Sequence, residues 1–281
     1  MVSLPAEWRH GILATEGRVA MRTWGILRGE GWGGLMDRLV IRRLYRRGPH
    51  LPERALPLRG GAFRFADAGE LYAYVEVFVR HSYDRLPGFG PRDGWTIVDV
   101  GANIGCFSAY ACLRMRRGTL LAMEPNPEAF RRQCEHLDPW RARRPGLRLV
   151  TACAAAGVTA GQATLTLPGG RSVRGTLDDP AEDGPSIPVR VRALDDWLGE
   201  EGIATVDLLK IDAEGSEVDV LRGAAATLRR TRRVVLEWHG PKRRDAVRDQ
   251  LGGLGFVEAG GWSEPDGDVG MLYFRSPGPR S

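Results

Sequence analysis

An acidic residue followed at once by two glycines marks the first candidate site. The segment TIVDVGANIGCFSAY, residues 96–110, is an apolar run that ends in Asp99 and continues through Gly101, Asn103 and Gly105 into a helical pattern. Glycines at such a turn allow the backbone to approach a ligand closely. The helix that follows offers unpaired N–H groups and a positive dipole end, which suit a carboxylate or a phosphate.

Two kinds of cofactor compete for this turn. The pattern D-x-G-x-N-x-G lacks the third glycine of the dinucleotide fingerprint, so a nicotinamide-dependent dehydrogenase is the weaker alternative. Asp99 is a poor neighbour for a pyrophosphate but a good one for an ammonium or sulfonium group. Glu124 ends the next strand in LLAMEPNP, where a carboxylate can accept hydrogen bonds from ribose hydroxyls. These features favour S-adenosylmethionine.

A second group of chemical side chains lies at the ends of two later strands. Lys210, Asp212 and Glu214 alternate at the end of VDLLKID and just beyond it, and Glu237 and His239 alternate at the end of RRVVLEWH. Alternate residues of an extended chain share a face. Neighbouring strands would therefore bring these five side chains to one edge of the sheet.

The residue types at this edge suit proton transfer from an acceptor hydroxyl. His239 is the predicted general base, because the pKa of histidine lies near neutrality. Asp212 could position the acceptor or take its proton, and Lys210 could stabilise an oxyanion or pair with an acid. A divalent metal is an open alternative, since oxygen and imidazole ligands would come from Asp212, Glu214, Glu237 and His239. No tight motif demands one, so we predict no metal.

The elements that position these residues alternate regularly from about residue 62. Predicted strands 95–100, 119–124, 147–153, 206–212 and 232–239 are separated by helical patterns, which is typical of a parallel sheet covered on both faces. The segments GFVEAG and GMLYFR are predicted to close the domain as two more strands, plausibly antiparallel. The segment DDWLGEEG is predicted to be a short helix capped by Asp195.

Two regions depart from this alternation. GQATLTLPGGRSVRGTL contains a Gly-Gly turn between alternating segments and predicts a β-hairpin insertion. Residues 1–60 form a predicted, mostly helical N-terminal extension before a domain at 61–281. In and just before DRLVIRRLYRRG, apolar residues could line one helix face and arginines another. The apolar face would contain Leu35, Leu39 and Leu44, and the basic face Arg38, Arg42 and Arg46. Such a helix could pack on the main domain or act as a lid. We expect 1–60 and 161–192 to shape the acceptor site.

Composition excludes several classes of function. The chain has 281 residues, 43% hydrophobic and 27% charged, without the run of about 20 apolar residues that a membrane span needs. Its net charge of +5 comes from scattered arginines among 35 acids, which argues against nucleic acid as a partner. The N-terminus lacks a signal peptide pattern, and the cysteines show no CxxC spacing, so we expect a cytoplasmic protein with reduced cysteines. Nothing in the sequence specifies an oligomeric state.

The motifs, taken in order, resemble a known family. VDVGANIGCFS, MEPNP, LLKIDAEGSEVDVLRGA and VVLEWH are similar to the FkbM-type family of class I S-adenosylmethionine-dependent methyltransferases, over about residues 70–275. The resemblance implies an α/β fold with a Rossmann-like, doubly wound, seven-stranded sheet whose last strand is antiparallel. It also implies an O-methyltransferase that acts on a hydroxyl of a small molecule, such as a natural product or a sugar-containing intermediate.

The resemblance also implies roles for individual residues. The amino-acid end of the cofactor would be held by Asp99, Gly101, Asn103 and Gly105, the ribose by Glu124, and the adenine by the region of Asn126, Cys153 and Ala154. An acidic or polar residue is commonly expected after the third strand, but this chain has ACAAAG there. A carrier protein as partner, a non-catalytic cofactor-binding scaffold and a nucleic-acid methyltransferase stay open as alternatives, although KIDAEG is unlike the proline-containing motif of base N-methyltransferases.

Overall fold

The computed structural model describes Leu39, Ile41, Arg43, Leu44 and Leu51, together with residues 55–167 and 184–277. The chain divides into two compact units, Met1–His50 and Leu51–Ser281. The predicted boundary between an extension and a main domain, at residue 60, stays a prediction.

The described residues of the first unit belong to the predicted amphipathic helix. Leu39, Ile41, Arg43 and Leu44 are helical. Leu44 and Ile41 are buried, whereas Leu39 is exposed. The remaining residues of the predicted apolar and basic faces, Leu35, Arg38, Arg42 and Arg46, lie outside the described part of the chain.

The second unit contains the alternating elements that the sequence predicts. Its strands are β1 (Leu56–Leu58), β2 (Gly61–Phe63), β3 (Thr96–Val100), β4 (Arg117–Met123), β5 (Gly146–Ala152), β6 (Ala155–Ala156), β7 (Gly161–Thr166), β8 (Ser186–Arg192), β9 (Leu208–Ile211), β10 (Arg233–His239), β11 (Val257–Ser263) and β12 (Val269–Arg275). Its α-helices are α1 (Ala68–Val75), α2 (Cys106–Arg114), α3 (Pro127–Arg143), α4 (Leu194–Glu200), α5 (Glu217–Arg222), α6 (Ala225–Arg229) and α7 (Pro241–Gly253).

Seven strands form the main sheet, in the order β11-β12-β10-β9-β3-β4-β5. The pairs β3 with β4, β4 with β5, β3 with β9, and β9 with β10 are parallel, and β12 is antiparallel to both β10 and β11. The predicted Rossmann-like, doubly wound sheet with an antiparallel last strand is therefore confirmed. The strand order reverses between β3 and β9, which places a ligand crevice at the carboxyl ends of these strands.

A separate three-stranded sheet, β6-β8-β7, holds the predicted insertion. β7 pairs with β8 in antiparallel fashion, from Gly161 opposite Val191 to Thr166 opposite Ser186. β7 therefore has an antiparallel partner, Ser186–Arg192, whereas a hairpin across the Gly-Gly turn itself stays a prediction. That turn lies within residues 168–183, outside the described part of the chain.

Asp195 does not cap the helix in which it lies, contrary to the prediction. Helix α4 begins at Leu194 with Ala193 as its N-cap residue. The Asp195 carboxylate instead accepts hydrogen bonds from the N–H groups of Ala226 and Thr227, at 2.9 and 2.7 Å. Because these N–H groups belong to the first turn of α6, Asp195 caps a neighbouring helix through a tertiary contact.

Residues 68–80, the lead-in segment before β3, are helical but change helix type. Helix α1 continues into a π-helix at Glu76–Arg80, which ends at His81 with a left-handed backbone. Such π-helical turns are frequent at functional sites because the extra residue redirects side chains. The turn carries Glu76, and Tyr83 follows shortly after it; both lie in the candidate site below.

Among the residues described, a large core lies between the main sheet and helices α4, α5, α6 and α7. It contains the apolar faces of the central strands and two fully buried indoles, Trp197 and Trp238. This packing fixes the carboxyl ends of β3, β9 and β10, where the predicted catalytic side chains lie. No helix among the residues described is long and apolar enough to cross a membrane.

Candidate functional site

A cavity of about 610 Å³, including its open mouth, lies at the carboxyl ends of β3, β4 and β9. Seven of the predicted site residues line it: Gly101, Asn103, Glu124, Asn126, Ala154, Asp212 and Glu214. Five of the eight predicted cofactor residues and two of the five predicted catalytic residues therefore meet at one cavity.

The two glycines of the first turn accommodate neighbouring protein atoms. Gly101 has φ +67°, and a Cβ atom there would lie 1.7 Å from the backbone oxygen of Asp212. Gly105 has φ +83°, and its Cβ would lie 3.0 Å from Gln133 Cγ. Gly101 thus permits the turn after β3 to pack against the turn after β9, a reason that the sequence alone does not reveal.

Asp99 is fully buried and faces the protein interior. Its Oδ2 accepts a hydrogen bond from Ser108 Oγ at 2.7 Å, and its Oδ1 lies 3.2 Å from Lys210 Nζ. Lys210 Nζ also donates to the backbone oxygen of Gly101 at 2.8 Å. Lys210 was expected either to stabilise an oxyanion or to pair with an acid, and these contacts match the ion pair with an acid. Neither side chain lines the cavity, so Asp99 and Lys210 support the turn after β3 from the protein interior.

Burial would lower the pKa of Lys210, but Asp99 and then Asp212 raise it above its usual value. The ammonium is therefore charged throughout the physiological range. Its Nζ lies 3.7 Å from Asp212 Oδ2, so a single cation links the acids after β3 and β9. This link keeps the turn and the catalytic edge in a fixed relation.

Glu124 lines the cavity at the end of β4. Its two carboxylate oxygens accept hydrogen bonds from the N–H groups of Asn103 and Asn126, both at 2.8 Å. Burial raises its pKa to about 7, against the opposing effect of these hydrogen bonds. Each oxygen keeps a second lone pair, so the carboxylate can still accept hydrogen bonds from ribose hydroxyls when it is ionised. The Asn126 side chain accepts a hydrogen bond from Glu128 N–H and so caps α3.

The predicted adenine region forms an apolar wall. Ala154, Ala155 and Ala156 line the cavity together with Leu165 of β7. Cys153 is exposed, with its Sγ 3.9 Å from the backbone oxygen of Pro125, and does not line the cavity. The alanine run after β5, where an acidic residue was expected, therefore forms this wall. Leu165 shows that the three-stranded sheet also contributes to it.

Tyr83 joins the acids of β9 and β10, a role that sequence reasoning missed. Its hydroxyl lies 2.9 Å from Asp212 Oδ2 and 3.3 Å from Glu237 Oε2. Its ring lies under Lys210 Nζ, which is 5.0 Å from the ring centroid. The residue lies three positions beyond the lead-in segment, where no strand-end or glycine-turn pattern marks it.

His239 is held between two carboxylates. Its Nδ1 lies 2.7 Å from Glu217 Oε1, and its Nε2 lies 3.3 Å from Glu214 Oε2. Burial would lower the pKa of His239, but Glu214 and Glu217 raise it well above the usual value. The imidazole is therefore protonated near neutral pH in this arrangement, and a protonated ring cannot accept a proton. The electrostatics of the structure oppose the prediction that His239 is the general base.

Two further acids face the same region. Burial raises the pKa of Glu237 well above its usual value, with Glu76 and Asp212 adding to the effect. Burial likewise raises the pKa of Glu76 to about 8, with Asp212 as the next contributor. Glu76 was not predicted, because the helical pattern of its segment gives no sign of the π-helical turn. The edge of the sheet is therefore rich in carboxyl groups.

Three of the four residues considered as metal ligands converge. Asp212, Glu214 and His239 each offer one ligand atom, and these atoms lie within 4.8 Å of one another. Glu237 is not part of this group, and its Oε2 lies 3.3 Å from the Tyr83 hydroxyl.

Comparisons with known proteins agree with this architecture. Residues 99–258, more than half of the chain, match the methyltransferase FkbM domain. The chain is 34% identical over 206 residues to 31-O-demethyl-FK506 methyltransferase FkbM of Streptomyces tacrolimicus, covering 64% of this chain and 79% of that protein. It is 30% identical over 223 residues to the AMB antimetabolite synthetase AmbE of Pseudomonas aeruginosa, covering 66% of this chain but only 10% of that protein.

A solved structure of methyltransferase FkbM from Methylobacillus flagellatus is similar with a TM-score of 0.47 and 17% identity, covering 86% of this chain and 60% of that one. The family assignment depends on the domain match and on the Streptomyces relative, of which the alignment covers 79%. The chain belongs to the FkbM family of S-adenosylmethionine-dependent methyltransferases.

Proposed function

We propose that the protein is an O-methyltransferase whose acceptor is a hydroxyl group of a small molecule, either a specialised metabolite or a sugar-containing intermediate. One observation carries the proposal: Asp212 and Glu214 line the same cavity as Glu124. An acceptor that reaches the cofactor there meets carboxylates, which can accept the proton of a hydroxyl. The Streptomyces relative is named for methylation at an oxygen.

The residues around the cavity fit S-adenosylmethionine. Gly101 and Asn103 lie at the turn that would hold the amino-acid end, with Asp99 and Gly105 supporting the turn from within. Glu124 would accept hydrogen bonds from the ribose, and Ala154 to Ala156 offer an apolar face to the adenine. When bound, the cofactor supplies an electrophilic methyl group.

Asp212 is the group that we assign to the acceptor hydroxyl. Its carboxylate lines the cavity, and Lys210 and Tyr83 hold one of its oxygens. The other oxygen, Oδ1, has no hydrogen-bond partner among the residues described. Because Oδ1 is buried, the side chain must rotate toward the cavity before this oxygen can orient the hydroxyl and take its proton as the methyl group is transferred. His239, as a cation, would orient Glu214.

Cofactor affinity should depend on pH through Glu124. Its pKa is raised to about 7, so above that pH the group is ionised and can accept ribose hydrogen bonds, and below it a proton occupies one oxygen. We expect the affinity for S-adenosylmethionine to fall below about pH 7, by up to about tenfold per pH unit. Calorimetric titrations between about pH 6 and about pH 8 measure this. The Glu124→Gln variant, which cannot ionise, should bind weakly and with a flatter profile; an equal slope in both proteins would contradict the role.

Identifying the atom that receives the methyl group tests the proposal. The enzyme would be incubated with methyl-¹³C-labelled S-adenosylmethionine and a panel of polyols, glycosides, phenols, amines and nucleosides. The ¹³C chemical shift of a new methyl signal distinguishes O-methyl from N-methyl products. Transfer to oxygen is the expected result. Transfer to nitrogen would contradict the proposal, and cofactor binding without turnover on any member of the panel would favour the non-catalytic scaffold.

A further inference from the structure

Asp212, Glu214 and His239 bring metal-binding atom types together at the carboxyl ends of β9 and β10. One atom from each lies within 4.8 Å of the other two. In a Mg²⁺ site with bonds of about 2.1 Å, ligand atoms on opposite sides of the ion are about 4.2 Å apart. The bound of 4.8 Å exceeds this distance by about 0.6 Å, so small side-chain movements would bring the three atoms around one divalent cation.

The surroundings of His239 orient its ring for such a role. Metal-binding histidines usually donate their other ring N–H to a carboxylate or a carbonyl. Here Glu217 Oε1 lies 2.7 Å from Nδ1, and Glu217 is fully buried. The remaining nitrogen, Nε2, faces Glu214, whose Oε2 lies 3.3 Å away. An ion between them would take the place of the imidazole proton.

An independent observation comes from the π-helical turn of the lead-in segment. Glu76 is 9% exposed and interacts electrostatically with Asp212 and Glu214, from a different element of the fold, and with one cation, Arg80. Beside it, Asp212 Oδ1 and Glu217 Oε2 are buried without a hydrogen-bond partner among the residues described. Burying several carboxylates together is costly, and a cation beside Asp212 and Glu214 would compensate it.

We propose that Asp212, Glu214 and His239 bind one divalent cation, Mg²⁺ or Mn²⁺, with Glu76 contributing charge from the π-helical turn. Two carboxylates and one imidazole form a ligand set that suits these ions. The sequence alone led us to predict no metal. An ion at this position would lie at the cavity wall, where it could coordinate the acceptor hydroxyl and lower its pKa. That consequence rests on the proposed function, whereas ion binding does not.

Mn²⁺ titration followed by electron paramagnetic resonance tests the site on the full chain. Free Mn²⁺ gives a sharp spectrum that is lost on binding, so the signal reports bound ion without any assay of activity. We expect one ion per chain, displaced by excess Mg²⁺. Binding should weaken at least about tenfold in Glu214→Gln and in Asp212→Asn, as for losses of metal-supporting groups generally. The control is Asp219→Asn, which removes a partly exposed carboxylate on α5 that pairs with Arg222, and this variant should bind Mn²⁺ as the wild type does.

Wild-type protein that leaves the Mn²⁺ signal unchanged would overturn the site, and so would unaltered binding in both variants. Circular dichroism and binding of S-adenosylmethionine in the presence of EDTA show that each variant is folded. These measurements also separate the two proposals. Cofactor binding without Mn²⁺ binding rejects the metal site alone, whereas Mn²⁺ binding without cofactor binding rejects the proposed function alone.

Discussion

Replacing Asp212 with asparagine is expected to lower kcat by about 100-fold or more, the range of a lost proton acceptor. The reason is the position of the carboxylate: it lines the cavity, and its Oδ1 has no partner among the described residues. Asparagine has the same shape and keeps an oxygen for the Tyr83 hydroxyl, so the fold should be preserved. The dissociation constant of S-adenosylmethionine should change little, because the contacts of Asp212 are with Tyr83 and Lys210.

The measurement combines steady-state kinetics with calorimetry of cofactor binding. Asp219→Asn is the matched control, since it makes the same chemical change on an exposed face of α5 where Asp219 pairs with Arg222. Equal losses in kcat and in cofactor affinity would indicate that Asp212 shapes the cofactor site rather than serving the acceptor. Unchanged kcat would remove Asp212 from the chemistry.

Replacing Gly101 with alanine is expected to destabilise the protein by more than about 2 kcal/mol and to weaken cofactor binding. The left-handed backbone at φ +67° costs a residue with a Cβ about 1–2 kcal/mol. The Cβ would also lie 1.7 Å from the Asp212 backbone oxygen. Because both atoms belong to turns at the cavity, relief of this clash must move the turn after β3 away from the turn after β9.

Chemical denaturation measures the free energy of unfolding, and calorimetry measures cofactor affinity. Gly199→Ala is the control: Gly199 lies in α4, and an added Cβ would meet nothing within 4 Å. Alanine there should be neutral or stabilising by about 0.5–1 kcal/mol. Wild-type stability in Gly101→Ala would show that the two turns are not packed as described.

The sheet was predictable because its signals are local and strong. Buried runs such as TIVDV, which alternate with helical patterns, specify strands and crossovers, and the glycine-containing turn after β3 locates the cavity. The order of the motifs then identified the family. The same reasoning brought Gly101, Asn103, Glu124, Asp212 and Glu214 to one place, since the carboxyl ends of neighbouring parallel strands must meet.

The parts that sequence reasoning missed depend on tertiary contacts. Tyr83 and Glu76 lie about 130 residues before Asp212 in the chain, and only folding brings them to the acids of β9 and β10. From the sequence, an ion pair of Lys210 with an acid could be considered, but it could not be distinguished from a catalytic role of Lys210. The structure shows the pair with Asp99. The protonation of His239 depends on Glu214 and Glu217 together, so the residue type alone suggested a base where the structure places a cation.

Calorimetric titration of the purified protein with S-adenosylmethionine, beside a parallel titration with NAD, tests the central claim most directly. The account predicts one molecule of S-adenosylmethionine bound per chain, no binding of NAD, and strong weakening in Glu124→Gln. Binding of NAD in place of S-adenosylmethionine, or binding of neither, would contradict the assignment of the cavity beside Glu124 and Asp212.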